Sequence, residues 1–171
     1  EDELRARGLR VALDAREEYT PGWKFAEYEM RGVPLRLEIG PRDVKAGTAV
    51  AVRRDSGAKE PVALAALGER VPAVLDDIQN ALLRQALAFR EANTRGAATY
   101  AQFKAIMDGD RGFVRALWCG GDACEDKIKE ETKATSRCFP LDLNKEWEPK
   151  GKVCAVCGKP AFGRAYFARA Y

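Results

Sequence analysis

The sequence predicts an α/β protein in three parts: a part with an incomplete mixed sheet, a helical connector, and a small α+β part that surrounds several cysteines. Three observations support this prediction. Strand-like and helix-like patterns alternate at the start of the 171 residues, an apolar stripe at helical spacing occupies the middle, and two close-spaced cysteine pairs lie near the end. We expect the parts to span residues 1–68, 69–109 and 110–171.

Alternating apolar residues predict the strands of the first part. Residues 9–13 and 34–39 carry leucine, valine or isoleucine at every second position, which is typical of a strand with one buried face. The small apolar run at 48–53 is typical of a strand buried on both faces. A helix is predicted over 23–30 and a short turn over 42–46. Because strands and helix alternate, we expect parallel neighbours in this sheet.

A long amphipathic helix is predicted for the middle of the chain. Apolar residues recur there at steps of three or four, namely Val71, Leu75, Ile78, Leu82, Ala86 and Phe89. A bend over 93–98 and a second helix over 99–107 should follow. The stripe suits a helix that packs between two domains, and a coiled-coil dimer is the alternative.

The last part is predicted to be small and mixed. We expect strands over 113–118 and 136–141, a polar helix over 122–132, and two short strands around 154–157 and 165–170. A core of this size rarely supports folding without additional stabilisation.

The cysteines suggest where that stabilisation comes from. Cys119 and Cys124 form one close pair, and Cys154 and Cys157 form another, followed by a glycine that favours a tight turn. Two such pairs are typical of a structural Zn²⁺ site with four thiolate ligands. The chain has no histidine, which excludes a mixed Cys/His site and any histidine-dependent catalysis within these residues.

Other uses of the thiols remain open at this point. Two disulfides would suit an oxidising compartment, but the sequence shows no signal-peptide pattern and no apolar run of membrane-spanning length. A redox Cys-x-x-Cys motif is another alternative, and titratable thiols in the native protein would be its hallmark. Cys138, the fifth cysteine, is predicted to be a buried core thiol and not a ligand.

The charge is modest overall and uneven along the chain. The formal net charge is +3, while residues 31–59 carry seven basic and three acidic groups, and residues 145–171 carry six and two. Such basic segments indicate local contacts with anions. The chain also starts at Glu1 in what looks like the end of a helix, so we expect it to be a piece of a longer polypeptide.

Three stretches resemble a known family. Residues 20–43 (TPGWKFAEYEMRGVPLRLEIGPRD) resemble the anticodon-binding domain of prolyl-tRNA synthetase, and residues 124–138 (CEDKIKEETKATSRC) and 166–171 (YFARAY) resemble the zinc domain of one branch of that family. The resemblance implies a class II, cytoplasmic, homodimeric enzyme that activates proline with ATP and Mg²⁺ and transfers it to tRNA(Pro). It also implies that the catalytic domain is missing here, so this chain would bind RNA without aminoacylating it and would pack against its own catalytic domain.

The resemblance also implies which residues read the anticodon. Glu29 and Arg36 align with residues that recognise the two guanines of proline anticodons, and Lys59 aligns with one that assists. A carboxylate matches the guanine N1–H and N2–H donors, and a guanidinium matches O6 and N7. In the alternative, Glu29 is merely solvated and Arg36 pairs with Glu38. The family also ends in a tyrosine whose carboxylate lies near the catalytic domain, and Tyr171 fits that position.

A competing function is a zinc-ribbon adaptor that binds RNA or protein without catalysis. An upstream reading frame with class II motifs would favour the synthetase, and a start codon near Glu1 would favour the adaptor.

Overall fold

The computed structural model describes residues 1–109, 112–140 and 149–170. The chain divides into two compact units, Glu1–Ala86 and Leu87–Tyr171, and each unit has its own β-sheet. Helices and strands occur in both units, so the predicted α/β class is confirmed. Within the described residues, no helix combines the length and the apolar character needed to cross a membrane.

The first unit holds a three-stranded sheet flanked by helices. Its elements in chain order are α1 (Asp2–Ala6), α2 (Pro21–Met30), β1 (Leu35–Glu38), α3 (Pro41–Ala46), β2 (Thr48–Arg53), β3 (Lys59–Ala63), a 3-10 turn (Leu64–Ala66) and α4 (Leu67–Ala92). The strand order is β1-β2-β3, and both pairs are antiparallel.

One face of this sheet forms a core with α4. The buried side chains of Ala49 and Ala51 on β2 and Val62 on β3 pack with Leu67 and Val71 of α4. This arrangement follows from the alternation of side chains along a strand, which directs every second residue to the same face. Arg36 and Glu38 of β1 alternate with core-facing leucines and lie on the other face of the sheet.

Local sequence explains where α2 and α3 begin and end. Thr20 caps α2 by accepting a hydrogen bond from the Trp23 N–H at 3.4 Å, and a proline occupies the first turn. In α3, the Asp43 carboxylate accepts a hydrogen bond from the Gly40 N–H at 2.8 Å. The left-handed backbone of Gly47, with φ of 66°, ends α3 and turns the chain into β2.

Two predictions for this unit are wrong. Residues 9–13 form no strand: Leu9 and Val11 pack against the core, but the segment pairs with none of the described strands. Alternation is local, whereas a strand also needs a distant backbone partner. The sheet is also antiparallel throughout, because only residues 39–47 connect β1 to β2 and a parallel crossover needs about a dozen residues or more.

β3 has no counterpart among the predicted strands. It contains Pro61, which argues against a central strand because proline cannot donate a hydrogen bond to a ladder. β3 lies at the edge of the sheet, where proline is tolerated.

The apolar stripe predicted for the long helix is only partly buried. Val71 and Ile78 are buried in the first half of α4, whereas Leu82 and Phe89 are exposed in the second half, Phe89 by 72%. The helix itself is confirmed over Leu67–Ala92.

The second unit combines a four-stranded mixed sheet with two helices. Its further elements are β4 (Thr94–Ala97), α5 (Tyr100–Asp108), β5 (Phe113–Trp118), α6 (Asp122–Thr132), β6 (Ala134–Cys138) and β7 (Gly163–Arg169). The strand order is β4-β5-β7-β6, in which only the β4–β5 pair is parallel. β4 replaces part of the bend predicted over 93–98, and its four residues TRGA lack any apolar alternation.

The core of the second unit lies on one face of its sheet. Phe103 of α5 and Ile128 of α6 are buried with Val114, Trp118 and Phe167 from the strands. Phe167 meets the Phe103 ring edge-on, with ring centroids 5.4 Å apart. The helices therefore cover the face that carries Phe167, and strand residues that alternate with it face the other way.

Cys138 is not buried, contrary to the prediction. It is exposed and ends the edge strand β6, opposite Tyr166 on the face away from the two helices. A β-bulge between Ser136 and Cys138 interrupts the regular alternation that the prediction assumed.

Of the strand predicted over 136–141, Leu141 lies outside the described residues. Of the two short strands, the second corresponds to β7, and the first is a single bridge between Val153 and Pro160.

Phe167 provides a test of this core. Phe167→Ala should lower the free energy of unfolding by about 3–5 kcal/mol, because it removes a fully buried ring and leaves a cavity. Urea titration followed by circular dichroism measures the change. Phe89→Ala, the same substitution at an exposed position, should stay within about 0.5 kcal/mol. Equal effects of the two substitutions would contradict the described core.

Candidate metal centre and nucleic-acid interface

Four cysteine sulfurs converge in the second unit. The Sγ atoms of Cys119, Cys124, Cys154 and Cys157 all lie within 4.8 Å of one another. The Cys119 and Cys124 sulfurs are 3.6 Å apart, and the Cys119 and Cys157 sulfurs are 3.8 Å apart. All five cysteines of the chain are free thiols, so the structure lends the disulfide alternative no support. This group could hold a metal ion.

The first cysteine pair lies at a strand-to-helix turn. Cys119 directly follows β5, and Cys124 lies in the first turn of α6. Gly120 makes the turn with a left-handed φ of 79°, a conformation that favours glycine. The Gly121 N–H donates a hydrogen bond to the Cys119 sulfur. The turn thus aims both sulfurs to the same side of the end of β5.

The second pair lies on a tight turn that is hydrogen-bonded to the end of β5. Within the turn, the Gly158 N–H donates to the Cys154 carbonyl at 3.0 Å, and the Cys154 N–H donates to the Lys159 carbonyl at 2.8 Å. Two further bonds join the turn to the strand: the Ala155 N–H donates to Leu117 at 2.9 Å, and the Phe162 N–H donates to Trp118 at 2.8 Å. These backbone bonds bring the distant pairs together.

Burial and hydrogen bonding give the thiols different acidities. Burial raises the pKa of Cys119 and of Cys124, whereas the Lys159 N–H, by donating to the sulfur, lowers the pKa of the exposed Cys157 to about 7. Near neutral pH, Cys157 is therefore partly thiolate without any cation. A positive charge beside Cys119 and Cys124 would favour their thiolate forms.

The three residues aligned with anticodon readers lie together in the first unit. Nη1 of Arg36 donates to Glu29 Oε1 at 2.6 Å, which joins β1 to the last turn of α2. Arg36 also contacts Glu38 through Nε at 3.0 Å and Nη2 at 2.9 Å. Nζ of Lys59 lies 3.7 Å from the other oxygen of Glu38. The register explains the proximity, because Arg36 and Lys59 both pair with Val52 from opposite sides of β2.

Two further residues belong to this group. Glu38 contacts both Arg36 and Lys59. The sequence indicated Glu38 only as an alternative ion-pair partner of Arg36, because residues two apart lie on the same face of a strand. Phe25 of α2 lies under the Arg36 guanidinium, 4.1 Å from its carbon to the ring centroid, within the range of a cation–π contact. A contact between a helix residue and a strand residue leaves no spacing pattern in the sequence.

The electrostatics of Arg36 reflect two opposing effects. Burial by itself would lower the pKa of Arg36, but hydrogen bonds to Glu29 and Glu38 raise it above its usual value. The side chain is 18% exposed, compared with 51% for Glu29 and 61% for Lys59. Arg36 is therefore fixed within the group, while Glu29 and Lys59 remain accessible from solvent.

Comparison with known families gives one match within each of the two compact units. A family described as "Anticodon binding domain" matches residues 1–73, and one described as "Prolyl-tRNA synthetase, C-terminal" matches residues 100–171. The first match includes the Arg36 group, and the second includes all four clustered cysteines.

Curated relatives match nearly the whole chain. A proline–tRNA ligase from Lachnospira eligens is 49% identical over 168 residues, covering 98% of this chain and 34% of the relative. One from Rubrobacter xylanophilus is 51% identical over 165 residues, covering 96% and 34%. The chain thus spans about a third of the length of the relatives that it matches.

Solved structures give the same result. A prolyl-tRNA synthetase from Cryptosporidium parvum in complex with halofuginone and AMPPNP is 32% identical and superposes with a TM-score of 0.84, covering 99% of this chain and 36% of that one. The same synthetase with L-proline and AMP gives 33% identity and a TM-score of 0.85. The chain therefore belongs to the prolyl-tRNA synthetase family, and it carries the anticodon-binding and C-terminal domains of that family.

Proposed function

We propose that this chain reads the anticodon of tRNA(Pro) as part of a proline–tRNA ligase. The parent enzyme would attach proline to tRNA(Pro), the reaction that gives the relatives their name, and would convert ATP to AMP and diphosphate as it does so. One structural observation carries the proposal: in an anticodon-binding domain, Arg36 contacts Glu29 and Glu38, and Glu38 also contacts Lys59. Glu29, Arg36 and Lys59, which come from separate elements, are thereby brought together.

The chemistry of guanine fits this group. The Watson–Crick edge of guanine offers the N1–H and N2–H donors, which a carboxylate accepts, and its O6 and N7 accept a guanidinium fork. Glu29 is the exposed carboxylate and Arg36 is the guanidinium. Lys59, the most exposed of the three, supplies a further donor for a base or a phosphate.

Binding of guanine requires an exchange of partners. Glu29 holds Nη1 of Arg36, and the base donors would take the place of that contact. Nε and one hydrogen of Nη2 would stay on Glu38, which is only 22% exposed, so the planar guanidinium keeps its orientation. Nη1, released from Glu29, and the second hydrogen of Nη2 then form the fork that donates to the base. Glu38 is then a positioning residue, and Phe25 supports the guanidinium from below. A group fixed before binding loses less conformational entropy when the base arrives.

We further propose that the four clustered cysteines bind one structural Zn²⁺. Four sulfurs at about 2.3 Å from a tetrahedral ion lie about 3.8 Å from one another, close to the 3.6 and 3.8 Å observed here. All four ligand positions would be filled by protein, which leaves no place for a reacting water and argues for a structural role. Hydrogen bonds from the Gly121 and Lys159 N–H groups to sulfur would offset part of the negative charge.

The remaining features of the parent enzyme are also proposals. ATP and Mg²⁺ would act only in its catalytic domain, against which this chain would pack, and the enzyme would be a cytoplasmic homodimer. The three-part division at residues 1–68, 69–109 and 110–171 stays a prediction. The suggested role of the Tyr171 carboxylate falls on a residue outside those described. A free-standing zinc-ribbon adaptor is not favoured by the match to proline–tRNA ligases along the chain.

Substitution of Arg36 tests the reading site. In the full-length ligase, Arg36→Ala should cost about 1–3 kcal/mol of discrimination between transcripts of tRNA(Pro) with and without the anticodon guanines. Aminoacylation kinetics on the two transcripts measure the loss. Arg31→Ala is the matched control, because Arg31 is an exposed arginine at the end of α2 that pairs with Glu27. An equal loss on both transcripts would make Arg36 a phosphate contact and not a base reader.

Metal removal tests the zinc proposal. A strong chelator should lower the melting temperature of the second unit first, because structural zinc contributes on the order of 10 kcal/mol of apparent folding free energy. Lower pH should have the same effect, since protons compete with the metal for the thiolates. Near-UV circular dichroism and bound metal per chain measure both effects.

Matched cysteine variants sharpen that test. Cys124→Ser should lose the metal and become insensitive to the chelator, whereas Cys138→Ser, at an exposed cysteine outside the cluster, should behave like the wild type. A melting temperature that no chelator changes in the wild type would exclude a structural metal.

A further inference from the structure

The sheet of the second unit is rich in arginine and lacks acidic residues. Its four strands contain five arginines and no aspartate or glutamate. Three of the arginines have partners. Arg95 takes part in a polar or ring interaction, Arg137 donates to the Ala168 carbonyl at 3.0 Å, and Arg169 contacts Asp108 at 3.2 Å. Arg115 and Arg164 have no hydrogen bond or ion pair with any residue that the structure describes.

These two arginines are neighbours on one face of the sheet. Arg115 of β5 pairs with Tyr166 of β7, and Arg164 lies two residues before Tyr166. Side chains in this diagonal relation are about 7–8 Å apart at their bases, within reach of each other's long side chains. Both alternate with core residues such as Val114 and Phe167, so they lie on the face that α5 and α6 do not cover.

Burial of the Nε atom is costly for each of these half-buried arginines. The Nε atoms of Arg115 and Arg164 are both buried from solvent and have no acceptor among the residues that the structure describes. A buried donor without an acceptor destabilises the folded chain, and a charged donor does so more strongly. Two like charges side by side add repulsion. An anion between them would satisfy the donors and remove the repulsion together.

Aromatic rings accompany the two charges. Phe113, 40% exposed, meets the Tyr166 ring edge-on with centroids 6.3 Å apart, on the same face as the two arginines. Arginine beside aromatic rings on an open sheet is a combination that proteins use to bind RNA, with phosphates on the cations and bases on the rings. A protein carboxylate would satisfy the charges but would make no use of the rings.

We propose that this face, with Arg115 and Arg164 as its phosphate ligands, is a second RNA-binding site of the chain. Its ligand is the phosphodiester backbone of the tRNA outside the anticodon, which rests on the proposed function of the first unit. The site contributes affinity without reading sequence, because phosphate contacts carry no base information.

The test is the salt dependence of RNA binding. Fluorescence anisotropy measures the affinity of the 171-residue chain for an unmodified tRNA(Pro) transcript over a range of KCl concentrations. Each lost phosphate contact should reduce the slope of log affinity against log salt by about 0.7–0.9. The double variant Arg115→Gln with Arg164→Gln should therefore lose about 1.5 from the slope and bind about tenfold more weakly at low salt. Arg115→Lys with Arg164→Lys should retain most of the slope, and a thermal melt verifies that each variant is folded.

A control variant with the same charge isolates the site. Arg70→Gln with Lys104→Gln removes two positive charges from exposed residues that are already paired with Glu60 and Glu131. Its slope should stay close to that of the wild type. If the Arg115/Arg164 variant also behaves like the wild type, the arginines serve another partner, such as a carboxylate-bearing protein surface, and the inference is wrong.

A second transcript separates this inference from the anticodon proposal. When the anticodon guanines are replaced by adenines, the loss caused by the Arg115/Arg164 variant should persist, whereas the effect of Arg36→Ala should disappear. An Arg36 effect without an Arg115/Arg164 effect would overturn only the inference. A wild-type chain that binds neither transcript at low salt would overturn both.

Discussion

Four cysteine sulfurs meet within 4.8 Å at the end of strand β5, where β5, α6 and the turn of the second cysteine pair come together. The two pairs are distant in sequence, and the backbone bonds from Ala155 and Phe162 to the end of β5 bring them together. A core of this size has little free energy to spare. A cation that neutralises the thiolates would therefore hold β5, α6 and the second turn in place at once.

The two units handle charge in different ways. In the first unit, Glu38 and Glu29 accept hydrogen bonds from Arg36 and fix its side chain. In the proposed reading site, the guanine donors would compete with Arg36 for Glu29. In the second unit, Arg115 and Arg164 lack such partners among the described residues. Paired cations suit selection between bases, and unpaired cations suit attraction to any phosphate. Under the two proposals, the first unit would supply specificity and the second unit would supply affinity.

Local chemistry was predictable from the sequence, and long-range pairing was not. The cysteine spacing predicted a cluster, and the helices α2, α4, α5 and α6 follow from apolar spacing and turn residues close by. The strand predicted over 9–13 is wrong because no described strand pairs with it, and β4 escaped prediction because its parallel partner β5 lies beyond α5. Cys138 is exposed because a bulge, which no residue pattern announced, interrupts its strand. Glu38 could be inferred only as a neighbour of Arg36, since its contact with Lys59 depends on the register of three strands.

X-ray absorption at the zinc edge, combined with a metal count on the purified chain, tests the central claim most directly. We expect one zinc per chain, surrounded by four sulfur atoms at about 2.3 Å. The absence of histidine makes the outcome clear, because the chain offers no imidazole nitrogen as a substitute ligand. A chain purified without metal, with four thiols that titrate freely or with two disulfides in their place, would contradict the account.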